Sequence, residues 1–205
     1  MSRPLRVVLF DLDGTLLDTA PDFATVLNTL LQRHGRKPVP FAAVRQNVSN
    51  GARALIRLGF EQDEQHPEFS PLLQELLDRY RDHLSVNTRL FEGMPQLLDL
   101  LEARELAWGI VTNKPALYTN AILDDLGLAQ RCATVICPDH VTHRKPHPEP
   151  IHAACTAIGC EPENAIYIGD HRREQRIAAF HHRLQLLPTD LGGQVGSTMA
   201  MDRPN

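Results

Sequence analysis

An α/β fold, a parallel sheet carrying a helical segment inserted early in the chain, is what the sequence predicts, and three observations predict it. Short apolar runs recur and each stops at a polar cluster; stretches with helical apolar spacing lie between them; about a hundred residues separate the first run from the second. Strands that alternate with helices form parallel sheets through crossover connections. A gap of that length exceeds one crossover and requires structure of its own.

The first strand is expected at Leu5 to Phe10, followed by the polar stretch DLDGTLLDT. From about Pro21 to Leu90 the spacing predicts helices, at 22–35 (DFATVLNTLLQRHG), 52–58 and 71–84 (PLLQELLDRYRDHL). Further helices are expected at 94–105, 116–127 and 149–159, alternating with strands at 107–112, 133–137 and 165–169. Each of those strand runs is mostly apolar, as suits a strand covered on both faces. The resulting plan is a doubly wound core of residues 1–17 and 91–190, a helical insert of residues 18–90, and a disordered tail of residues 191–205. The insert would sit at the C-terminal edge of the sheet, where such folds bind ligands.

Composition limits what such a chain does. Of its 205 residues 42% are apolar and 22% charged, and the formal net charge of −4 argues against a general electrostatic grip on nucleic acid or on an anionic membrane. No apolar run is long enough for a signal peptide or a membrane span, so a cytoplasmic protein is expected, monomeric or homodimeric. Cys132, Cys137, Cys155 and Cys160 form no CxxC pair and read as reduced thiols.

Chemistry concentrates after the strands. Asp11 and Asp13 are two apart, which directs both side chains to one side just past the first strand. Two carboxylates in that position repel, and a divalent cation, best Mg2+ with its preference for carboxylate oxygen, water and phosphate, relieves the conflict. Asp11 then suits a nucleophile that becomes an aspartyl-phosphate, and Asp13 an acid that protonates the leaving oxygen and later a base for water. Thr112 and Asn113 close the second strand with a hydroxyl and an amide for phosphate oxygens. Lys145 supplies a cation, and Asp170, with Glu174 four residues on, supplies further metal carboxylates. In a parallel sheet these strand ends converge.

DLDGTLLDT, VTNK, KPHPEP and YIGD, in that order, resemble the haloacid dehalogenase superfamily, and the span from about Leu5 to Asp170 resembles its phosphoglycolate phosphatase branch with a helical cap. The resemblance implies a Rossmann-like core, Asp11 as nucleophile, Asp13 as acid and base, and Thr112 and Lys145 as partners of phosphate and nucleophile. It further implies Mg2+ held by Asp11, the Asp13 carbonyl and Asp170, and Gly14 and Thr15 at the start of the turn that moves the cap. Asp13 favours phosphate esters over carbon–halogen bonds, whose cleavage needs no acid, and the cap's single lysine, Lys37, lies in a loop unsuited to a phosphonate hydrolase's Schiff base.

Substrate choice is expected in the cap. VSNGARALI places Ser49 or Asn50 as helix cap, with Asn50, Gly51 and Arg53 either facing an anionic part of the substrate or forming an ordinary helix start with a solvated arginine. NGARAL, LFEGMPQLL and CPDHVTHRKPHPEP also resemble a branch acting on N-acetylmuramic acid 6-phosphate, which, like phosphoglycolate, joins a phosphomonoester to a carboxylate. The expected function is thus a Mg2+-dependent phosphatase of small anionic phosphate esters, with a sugar-phosphate mutase and a non-catalytic relative as alternatives.

Other residues receive plainer readings: His140, His143, His147 and His152 as loop or surface histidines in preference to a dedicated metal site, Trp108 as packing, Asp18 as a local cap or hinge contact, and Asp124 and Asp125 as a solvated face. After Asp170 the resemblance fades. Glu174 keeps a carboxylate in place and Arg183 to Leu187 offers a last strand, but the glycine-containing helix of the family is missing. The ending reads as frameshifted or truncated, with a natural variant as the alternative.

Overall fold

A computed structural model describes residues 4–169. Asp170, Glu174, the strand expected at Arg183 to Leu187 and the tail lie outside the described residues. Four strands, β1 (Val7–Phe10), β4 (Ala107–Val111), β5 (Thr134–Ile136) and β6 (Ala165–Ile168), form one parallel sheet in the order β5-β4-β1-β6. The register aligns Val7 with Ala107 on one side and with Ala165 on the other, which puts Phe10 beside Ile110 and Ile168. The strand ends are therefore level.

Alternate side chains serve opposite faces, as the period of two requires. Val8, Phe10, Trp108 and Ile110 pack with Met94, Leu98 and Leu101 of α5 (Met94–Ala103) and Ile122 and Leu123 of α6 (Ala116–Asp125). Val7, Leu9, Val111 and Tyr167 pack with Ile151, Ala154 and Cys155 of α7 (Glu149–Ile158). Helices on both faces explain why the strand runs carry no polar alternation. Trp108 is buried, and its indole N–H donates to Glu102 Oε1 at 2.9 Å, which keeps its one polar group satisfied.

Between β1 and β4 come α1 (Ala20–Arg33), α2 (Phe41–Asn47), α3 (Ala52–Phe60) and α4 (Phe69–Arg81). They enclose an apolar cluster of their own, from Phe23, Leu27 and Leu30 of α1 to Leu55 and Ile56 of α3 and Leu72, Leu76 and Tyr80 of α4. The chain enters through β2 (Leu17–Asp18) and returns through β3 (Arg89–Leu90), and the two pair antiparallel, Leu17 with Leu90. Asp22, fully buried at the start of α1, binds the returning strand: its carboxylate accepts from the Asn87 and Thr88 backbone N–H groups at 2.9 Å, and from Thr88 Oγ1 at 2.7 Å. Asp18 pairs with Arg45 of α2.

Three features of the insert differ from expectation. The segment before α3 is a short 3-10 turn, Val48–Asn50, and the residue preceding the helix is Gly51 at φ 82, so neither Ser49 nor Asn50 caps α3. Glycine tolerates that angle without a Cβ penalty, which a serine or asparagine there would pay. α2 and the β2–β3 pair were not foreseen. Among the described residues no helix is long and apolar enough to cross a membrane.

Candidate active site

Asp11 follows β1 and Thr112 follows β4, the adjacent central strand, so both are delivered to one edge by the sheet register. Thr112 N–H completes the sheet by donating to Ile136 O at 3.0 Å. The Thr112 hydroxyl accepts from the Lys114 backbone N–H at 3.1 Å, which orients it while leaving its O–H to donate outward. Asp11 is buried, and its Oδ1 meets Lys145 Nζ at 2.8 Å and accepts from Leu12 N–H at 2.7 Å. Lys145 is buried as well, its ammonium also donating to Tyr167 Oη at 2.6 Å. The pair places a carboxylate and a cation side by side, away from bulk water, where Coulombic attraction is strongest.

Asp13 has a different partner. Its carboxylate accepts from Lys114 Nζ at 3.1 and 3.3 Å and from Thr19 Oγ1 at 2.7 Å. The two carboxylates expected to compete for one cation thus each hold a lysine. The Asp13 side chain is turned to Lys114, so any metal ligation by this residue falls to its carbonyl, which accepts from Ser49 Oγ at 3.3 Å.

Lys114 was missed by the sequence reading. It is buried, donates to Tyr80 Oη at 3.0 Å, and lies 4.6 Å from the Tyr80 ring centre and 4.8 Å from that of Phe23. Phe23 and Tyr80 stack with centroids 3.8 Å apart. Burial works against the lysine's charge, yet Asp13 and Tyr80 outweigh it and raise the Lys114 pKa above its ordinary value. Burial pushes the Tyr80 phenol up to about 12, so it stays protonated as a partner for Lys114. The visible signal was a lysine two residues past a strand end, in VTNK; its aromatic partners come from the helical insert.

These groups face a cleft of about 500 Å³ between the sheet edge and the helices. Asp11, Asp13, Thr112, Asn113 and Lys145 line it from the sheet edge, Asn50, Gly51, Arg53 and Arg57 from the insert, and Tyr118 from α6, with Arg144 joining from the Lys145 loop. Arg57 is paired with Glu64, whereas Arg53 is exposed at the start of α3. The Asn113 amide donates to Lys145 O at 3.0 Å, which makes it a brace for the Lys145 loop as well as a lining group. Gly14 and Thr15 are not brought into the cleft lining: Gly14 turns at φ 82 with its N–H bonded to Leu17 O at 3.0 Å, and Thr15 is buried.

Away from the cleft, His143 and His147 lie together on the outer side of the Lys145 loop with ring centroids 4.5 Å apart, and Glu149 joins them. His140 Nδ1 accepts from Cys137 N–H at 3.1 Å, and His152 is exposed on α7.

A family model described as haloacid dehalogenase-like hydrolase matches residues 8–180. An N-acetylmuramic acid 6-phosphate phosphatase of Pseudomonas aeruginosa is 46% identical over 170 residues, covering 83% of this chain and 75% of that protein. A second one, from Pseudomonas putida, is 40% identical over 208 residues, 98% of this chain and 93% of that protein. A phosphoglycolate phosphatase of Xanthomonas campestris is 41% identical over 169 residues, 82% of this chain and 76% of that protein. In fold, the crystal structure of a predicted phosphoglycolate phosphatase from Haemophilus somnus matches with a TM-score of 0.78 at 23% identity, covering 90% of this chain and 84% of that one. Sheet order, strand-end residues, family model and relatives converge: this chain belongs to the haloacid dehalogenase-like hydrolase family.

Proposed function

We propose that the protein is a Mg2+-dependent phosphatase that hydrolyses small phosphomonoesters through an aspartyl-phosphate on Asp11. The observation that carries this reading is the buried Asp11–Lys145 contact at 2.8 Å beside Thr112, facing the cleft. An Asp11 oxygen attacks phosphorus and displaces the ester oxygen; Asp13 hands that oxygen its proton. A water then attacks the acyl phosphate, gives its proton to Asp13, and restores the Asp11 carboxylate as phosphate leaves. Lys145 offsets the charge that Asp11 and the phosphoryl oxygens bring together, and the Thr112 hydroxyl donates to one of those oxygens.

The donors at the end of β1, the Asp11 carboxylate and the Asp13 carbonyl, are hard oxygens of the kind Mg2+ takes, and the ion bound there would neutralise phosphate charge. Among the described residues these two are the oxygens we assign to it. The helices α1 to α4 act as a cap, residues 18–90, over a core of residues 1–17 and 91–190, excluding water from the cleft.

Of the two carboxylated phosphate esters, N-acetylmuramic acid 6-phosphate is the better fit. The 500 Å³ cleft would be mostly unfilled by the two-carbon phosphoglycolate, and Arg53 and Arg144 lie on the cap and loop sides, where a larger acid reaches them. The relative at 46% identity supports the same choice, while the one at 41% supports phosphoglycolate as the second reading. Phosphate release with Mg2+ from each ester tests this, with Asp11→Asn as control. Release from neither ester would sink the phosphatase reading, undiminished release in the variant would remove Asp11 as nucleophile, and preference for phosphoglycolate would reverse the substrate order.

A further inference from the structure

The loop that carries Lys145 has two faces. Arg144, Lys145 and Pro146 line the cleft, whereas His143 and His147 project to solvent on the opposite side. With Glu149, the first residue of α7, these two histidines form a cluster that the phosphatase mechanism does not use. We infer that His143, His147 and Glu149 form a second metal site, for a Zn2+-like transition ion, on the outer face of the Lys145 loop.

Three observations carry it. Each of the three side chains offers a donor atom, and those atoms lie within 4.8 Å of one another. His143 Nδ1 is 2.8 Å and His147 Nδ1 3.8 Å from Glu149 Oε2. A tetrahedral ion with bonds of ~2.0–2.1 Å holds its donors about 3.3 Å apart, between those two separations.

The cluster is also held in place by the backbone. Glu149 Oε1 accepts from Thr142 N–H at 2.8 Å and Oε2 from His143 N–H at 2.9 Å, which fixes the carboxylate against the turn. His147 Nδ1 accepts from Glu149 N–H at 3.2 Å in the ion-free chain, a bond that an ion on that nitrogen would replace. Outer hydrogen bonds that orient ligands are what a metal site needs beyond the ligands themselves.

The donor set decides the occupant. Two imidazoles and one carboxylate suit Zn2+, and Mg2+, which takes oxygens and dehydrates reluctantly, is disfavoured. Three protein ligands at an exposed position leave the remaining coordination to water. An ion bridging residues 143, 147 and 149 closes the segment that presents Lys145, stapling from outside the loop whose inner face meets Asp11. The inference does not rest on the phosphatase reading, since no cleft residue takes part.

The test is equilibrium dialysis of the full chain against Zn2+ in saturating Mg2+, comparing the Asp11→Asn protein with the same protein carrying His143→Ala and His147→Ala. The Asp11→Asn background weakens Zn2+ capture at the cleft, and circular dichroism verifies the fold of both. Hydrogen exchange of residues 142–149 is followed with and without Zn2+. We expect one Zn2+ whose affinity falls at least tenfold on removing the histidines, and exchange that slows with Zn2+ only when they are present. No bound Zn2+, a loss of affinity below tenfold, or slowing that survives the double substitution would overturn the site and leave a hydrogen-bonded histidine–glutamate cluster only.

Discussion

Replacing Lys114 with methionine removes a buried cation while keeping most of its volume, which makes it a clean probe of how the insert meets the sheet edge. The lysine ammonium is 3.1 Å from Asp13 Oδ1 and 3.0 Å from Tyr80 Oη, so the variant leaves a carboxylate and a phenol without their shared partner. Breaking a buried ion pair from one side costs about 3–5 kcal/mol. The Asp13 side chain is 16% exposed, and water reaching it relieves part of that, so the lower end, about 3 kcal/mol, is expected. For a chain of this length each kcal/mol moves Tm by about 2–4 °C, giving a fall of roughly 6–12 °C.

The sign of any pH effect follows from the raised lysine pKa: the contribution is fully present below the ordinary lysine value of 10.5 and is lost only as pH rises through the still higher folded value. Calorimetry at pH 7.5 therefore reads the whole effect. Pairing Lys114→Met with Asp13→Asn completes the test, because removing both charges leaves no stranded ion and the double variant should be more stable than the sum of the single losses by about 1 kcal/mol or more. A Tm loss under about 2 °C, or strictly additive losses, would refute the claim that these groups form one buried unit.

Asp22→Ala strips the returning strand of its acceptor for two backbone N–H groups and the Thr88 hydroxyl, and a loss of about 3 kcal/mol or more is expected in urea unfolding, with Asp22→Asn less harmful; a loss below about 1 kcal/mol would contradict the clamp. Gly109→Ala would bring a Cβ to 2.8 Å from Thr134 Cγ2 and 3.0 Å from Thr134 O, a crowding expected to cost about 1–3 kcal/mol in thermal unfolding, part of which Thr134→Ser recovers; an unchanged Tm would contradict the close β4–β5 approach.

The sheet and the Asp11 side of the site were legible because their signals are local. Val7 to Phe10 is an uninterrupted apolar run stopped by an aspartate, and the same holds at Thr112, so strand and strand-end chemistry are read in one window. Lys114 was not legible: its carboxylate is 101 positions away in Asp13 and its phenol 34 positions away in Tyr80, and in the sequence Tyr80 reads only as part of an apolar stripe. α2 escaped because it buries only Val44 and so presents no stripe. β2 and β3 are two residues each, too short for a period, and exist only because they meet. The supposed asparagine or serine cap failed where Gly51, at φ 82, takes the turn that a capping side chain would otherwise have served.

The pairing of Leu17 with Leu90 also bears on how the chain folds. Joining β1 to β4 directly requires closing a loop of about a hundred residues, and the entropy of closure grows with the logarithm of that length. Once the four helices have collected around their own apolar cluster, the two strands of the hinge come together and the connection still to be closed is only about a quarter as long. Two halvings lower the closure cost by about 1 kcal/mol. Helices form from near neighbours and do so quickly. The insert therefore works as a splint during folding, shortening the path to a sheet whose two central strands are far apart in the chain.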